Sequence, residues 1–201
     1  MRQQRETATL GMWVFLATEV LFFGGLFAAY LVYRIWYPST FGEASRQLHL
    51  AFGATNTAVL ITSSLTMALA VRASATGRRS TLLLFLVLTM VLGAAFLGIK
   101  SVEYYHKYTE HLIPGPGFRF DGPDPLHAQI FFSLYFALTV LHALHMIIGL
   151  GILTVILIMA LRGHFTIAWH TPVEVSGLYW HFVDIVWIFL FPLLYLIDRH
   201  A

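Results

Sequence analysis

The sequence predicts an all-α fold, a polytopic membrane bundle of five transmembrane helices, and three observations predict it. Of the 201 residues, 58% are hydrophobic and only 11% are charged, with a mean hydropathy of +0.74. A soluble domain of that length exposes far more charge. Five apolar runs, at about 10–34, 50–71, 80–102, 128–161 and 173–197, reach the roughly 20 residues that cross about 30 Å of hydrocarbon. None alternates as a barrel strand would, and backbone groups in lipid must find partners inside their own segment, so the runs are helices. Residues 1–201 read as a single membrane domain without internal repeats. The net charge of +2 is too small for nucleic-acid binding, and with no cysteine there is neither a disulfide framework nor a thiolate metal site. The first run is too long for a cleavable signal core, so none is expected.

The first run contains WVFLATE at 13–19, which puts Glu19 some 15 Å along a helix that rises about 1.5 Å per residue. No basic residue lies near it in sequence, so it needs a partner from another helix or must carry a proton. The small residues Gly24, Gly25, Ala28 and Ala29 follow, and are expected to let a neighbouring helix approach closely. The second and third runs are joined by a short turn rich in arginine: Arg72, Arg78 and Arg79. The third run ends in KSVEYYHK, where Glu103 and His106 form a Glu-x-x-His pair beside Lys100. Di-iron proteins take that spacing from two helices. It occurs once here, at the end of a span, and reads as an interfacial charge cluster.

Between Lys107 and Leu126 the chain is rich in Pro and Gly and cannot continue a helix. It reads as a solvated external loop or as a docking surface for a partner. In the fourth run, Tyr135, His142, His145 and Gly149 share a narrow arc. Its histidines can hydrogen-bond across to another helix, or serve a metal or haem that would need further ligands. In the fifth run, YWHFVDIVWIFLFPLLYL, the residues Glu174, Gly177, His181, Asp184 and Tyr195 fall on one face. An ionisable group at membrane depth costs about 2.5–3.5 kcal/mol on insertion scales and marks a functional site by default. Asp184 is expected to stabilise or orient His181, and the polar faces of the fourth and fifth runs to turn toward each other. Trp36 and Trp169 suit the interfacial aromatic belt, and the histidines at 49, 111, 127, 164, 170 and 200 read as interfacial or terminal residues. The arginines between the second and third runs place the N-terminus in the cytoplasm and the C-terminus outside.

The motifs WVFLATE, VEYY at 102–105, HALHMIIG at 142–149 and YWHFVDIVW at 179–187 resemble subunit III of the haem–copper cytochrome c oxidases, in order over nearly the whole chain. The chain looks like the short, five-span bacterial form; the seven-span form has two further helices that help frame a lipid-filled cleft. The resemblance implies an accessory subunit in the plasma membrane that holds no haem, copper or other metal. It would pack on the catalytic subunit I of a complex that also contains subunit II, and those partners would carry the haem and copper. It also implies bound phospholipid, stabilisation during turnover and support of proton uptake. It carries the family's buried glutamate onto Glu19, its Glu-Tyr pair onto Glu103 and Tyr104, its paired histidines onto His142 and His145, and its last motif onto His181 and Asp184. The same residues would serve a quinol oxidase or a nitric oxide reductase. A membrane di-metal oxygenase and a b-haem anchor are the alternatives of another class, and for both the ligand inventory falls short.

Overall fold

A computed structural model describes residues 2–166 and 169–196. His200, one of the terminal histidines named above, lies outside the described residues, as do Arg199 and the side chains of Arg2 and Arg5. Six helices occur among the described residues: α1 (Arg2–Trp36), α2 (Pro38–Arg46), α3 (Leu50–Ala75), α4 (Arg79–Thr109), α5 (Pro125–Leu161) and α6 (Thr171–Tyr195). All but α2 are long and apolar enough to span, and they match the five predicted runs, each extending beyond its run at one end or both. The nine residues of α2 form an additional short helix, begun by Pro38 at its first turn.

Turn chemistry sets the helix ends. Gly77 adopts φ 70° in the α3–α4 turn, and Gly163 adopts φ 74° just after α5, the left-handed conformation that glycine supplies without strain. Arg79 then reaches across to the last carbonyls of α5, donating from Nε to the Ala160 carbonyl at 3.1 Å and from its guanidinium to that of Leu161. At the other end Pro125 opens α5, and the Asp124 side chain accepts from the His127 amide at 3.3 Å. The carbonyls at the end of α6 stay inside the protein. Tyr30 donates to that of Leu193 at 2.9 Å and Ser45 to that of Leu194 at 2.8 Å.

Helix α6 is the hub, touching α1, α2, α3 and α5, while α3–α4 and α4–α5 pack as neighbours around it. Two tryptophans of α6 fill the centre. Trp180 lies against Gly93 of α4 and Gly149 of α5 and donates to Ser63 of α3 at 3.0 Å. One heptad on, Trp187 meets Phe96 and His142 and donates to Thr57 at 3.1 Å. The exposed apolar side chains of α1 and α4 form the perimeter, as a protein solvated by lipid permits.

The small residues of α1 correct an expectation. Gly24 and Gly25 face outward, with open space where a Cβ would stand, so no helix of this chain packs on them. The loop is also tighter than a free solvated segment. Helix α4 continues to Thr109, Lys107 is fully buried, Leu112 is buried and Phe118 packs on Phe132.

Candidate functional site

The most buried polar cluster joins α4, α5 and α6. Residues 82, 86, 89, 93, 96, 100, 103 and 107 form one buried stripe of α4, at helical spacing. Its apolar part packs on α3, α5 and α6, and Lys100 and Glu103 continue it into the same interior. Lys100 Nζ donates to Glu103 Oε2 at 2.9 Å, to the Tyr195 hydroxyl at 2.8 Å and to the Tyr135 hydroxyl at 3.2 Å. Glu103 Oε1 accepts from Tyr195 at 2.5 Å and from Tyr135 at 3.0 Å. The ammonium also lies 4.9–5.5 Å from the ring centroids of Trp187, Tyr135, Tyr104 and Tyr195. A buried ion pair repays its desolvation only when the remaining donors and acceptors are met, and here they are.

This corrects two readings. Glu103 belongs to the bundle interior rather than to an interfacial cluster. His106 lies apart from it, half-buried, with its ring 5.8 Å from that of His49 and 5.7 Å from that of Phe52. The sequence reading passed over Lys100 and Tyr135 as partners of Glu103. The signal was present, because Lys100 and Glu103 stand three apart on the stripe that holds Leu86, Gly93 and Phe96.

A second pair joins α1 to α5. His145 Nε2 lies 3.2 Å from Glu19 Oε2, and its Nδ1 lies 2.9 Å from the Leu141 carbonyl. Both ring nitrogens are engaged, and the partner that Glu19 lacks in sequence comes from another helix. Phe23 packs on the His145 ring at 5.4 Å, and Tyr179 of α6 donates to the His145 carbonyl at 3.0 Å. His142, one turn earlier, is fully buried between Phe96 and Trp187 with neither ring nitrogen bonded.

The expected pairing of His181 with Asp184 does not form. His181 Nδ1 bonds Ser64 Oγ at 2.7 Å, while both carboxylate oxygens of Asp184 are buried without a hydrogen-bond partner. Three residues on a helix bring two side chains to one face, but α3 supplies the hydroxyl at better reach. Glu174 lies at the start of the same face, 3.1 Å from His170. Of the two predicted polar faces, Tyr135 of α5 and Tyr195 of α6 meet at one end, while His142 lies against Trp187, which is outside the predicted face of α6. Among the described residues, no three His, Cys, Asp or Glu side chains converge as a metal site requires.

Comparison with known proteins gives a consistent result. The family model described as cytochrome c oxidase subunit III matches residues 3–198. A cytochrome c oxidase subunit 3 of Synechocystis sp. is 35% identical over 188 residues, covering 93% of this chain and 74% of that protein. Its counterpart in Thermostichus vulcanus is 34% identical, covering 94% and 87%. That of Alkalihalophilus pseudofirmus is 33% identical, covering 93% and 85%.

Proposed function

The chain belongs to the cytochrome c oxidase subunit III family, and is thus an integral membrane protein and an accessory subunit of a haem–copper oxidase; from that premise we propose that it packs on the catalytic subunit I, in a complex with subunit II, as a colourless scaffold. The haem and copper belong to those partners, and this chain holds neither. The outward face of α1, with its open glycines, is the natural seat for lipid or for a partner helix.

We further propose that the subunit stabilises the oxidase during turnover and supports proton uptake through Glu19. One observation carries this reading: the largely buried Glu19–His145 pair ties the outermost helix to the core and joins two ionisable groups. His145 is bonded at both nitrogens, and His181 is turned to Ser64 through Nδ1.

The test is Glu19→Ala in the intact complex. Assembly is expected to persist, because α1 keeps the Phe23 and Tyr30 contacts. Proton uptake, or catalytic lifetime under turnover, is expected to fall. Unchanged turnover and inactivation kinetics would remove Glu19 from the mechanism.

A further inference from the structure

Helices α1 and α3 both rest on α6, with their backbones set apart from each other. The crevice between them opens into a groove of about 500 Å³, lined by Thr9 of α1, Ala68 and Val71 of α3, and Glu174, Leu178 and His181 of α6. His181 stands at its inner end, about 15 Å from the start of α6 at 1.5 Å per residue. Its Nδ1 is held by Ser64, which leaves Nε2 for water in the groove. Three residues deeper, Asp184 is 2% exposed; its oxygens have no ion pair and no hydrogen bond of normal geometry among the described residues, and the Ser64 hydroxyl is the polar group within reach.

We propose that Asp184 is a proton store with one entrance, loaded from water in this groove by way of His181 and Ser64. A buried carboxylate is far more costly than the neutral acid unless it is well paired, which is the physical reason for a proton to be stored here. Two polar groups near it can pass that proton. From α3 the polar neighbour is the Ser64 hydroxyl, and from α6 it is His181. Glu19 of α1 is committed to His145 of α5, while Lys100 and Glu103 of α4 are committed to the tyrosine cluster.

Beyond Asp184 the α3–α6 seam is closed. Trp187 is bonded to Thr57, and Gly53 is pressed against Phe191 and Tyr195. Protons therefore enter and leave by the same route. On loading, hydronium in the groove gives its proton to His181 Nε2 and becomes water, and as Nδ1 passes its proton to Ser64 Oγ the Ser64 hydroxyl proton moves to the carboxylate. One O–H bond breaks on the hydronium and one forms on Asp184, and His181 is left as its Nε2–H tautomer.

This inference rests on the membrane placement of α6 and is independent of the turnover role assigned to Glu19. The test is infrared spectroscopy of the resting complex in its membrane at neutral pH, where no turnover is needed. A protonated-carboxyl band present in the wild type is expected to disappear in Asp184→Asn. Where Asp184→Asn does not assemble, Asp184→Glu is expected to displace the band instead. In heavy water the wild-type band shifts as the proton exchanges. Ala68→Trp, which fills the groove, is expected to leave the band in place and to slow its exchange by about tenfold or more, since exchange must then await local opening. A spectrum that neither Asp184 variant changes, or exchange as fast in Ala68→Trp as in the wild type, would overturn the proposal.

Discussion

Glu103 accepts hydrogen bonds from three side chains, Lys100, Tyr135 and Tyr195, and each comes from a position that the bundle buries. Removing one partner of such a pair strands the other, which costs about 3–5 kcal/mol, whereas replacing both with apolar groups is often neutral. Glu103→Leu alone is therefore expected to lower the thermal midpoint of the solubilised protein sharply. Lys100→Met with Glu103→Leu is expected to recover most of the loss, less about 1 kcal/mol for each tyrosine hydroxyl left without its acceptor. A double variant as unstable as the single would show that the pair acts on something other than packing. Asp124, at the head of α5, behaves differently because it faces water. Partial desolvation works to raise its pKa, but bonds from the His127 ring and amide and from Thr40 outweigh this and hold it below the ordinary 3.8. A depressed carboxylate contributes stability that is present above its unfolded pKa and is lost as pH falls through the folded one. The head of α5 is thus expected to keep its protection against amide exchange down to about pH 4 and to lose it in stronger acid. Asp124→Asn should abolish that acid step; an unaltered acid profile would mean that another group controls it.

Among the helices, the five long ones could be read from length and apolarity alone, because a span has to be apolar whatever its neighbours do. Helix α2 could not, since its nine residues are polar on average and take their place from Phe41, Ala44 and Ser45 packing under α5 and α6. The faces of the long helices were only partly readable. In an apolar helix the buried stripe is marked by size and polarity rather than by hydrophobicity, so Lys100 and Glu103 at the end of α4 were mistaken for interfacial charges. For the same reason Gly24 and Gly25 looked like packing glycines, although the helix glycines that pack are Gly53, Gly93, Gly149 and Gly177, of which Gly93 and Gly149 flank Trp180. At Gly93 an added Cβ would stand 2.8 Å from the Trp180 ring, which is pinned by its bond to Ser63. Gly93→Val is therefore expected to cost about 1–3 kcal/mol or more by overpacking. Gly24→Val, in open space, is expected to stay within about 0.5 kcal/mol in the isolated subunit. Equal effects in thermal unfolding would mean that the two faces have been assigned the wrong way round.

Taken as a whole, the bundle is polarised from end to end. Arg72, Arg78, Arg79 and Arg162 gather where α3 meets α4 and where α5 ends, and the crevice between α1 and α3 opens at that same end, beside Glu174. The opposite end holds the α4–α5 loop, with Arg119 and Asp121, and the α2 turn that lodges Lys107 on the Gln47 carbonyl. Short loops dense in arginine stay in the cytoplasm, so the arginine end is expected there and the α4–α5 loop outside. The assignment also gives the Asp184 groove its source of protons, which would be the cytoplasm. Because the chain has no cysteine, a single introduced thiol reports its own side without background. Thr76→Cys, in the exposed α3–α4 turn, is expected to resist a membrane-impermeant maleimide in intact cells and to react once the membrane is opened. Ile113→Cys, on the exposed α4–α5 loop, is expected to react in intact cells. The reverse labelling pattern would invert the topology and would have the groove draw protons from the outer face instead.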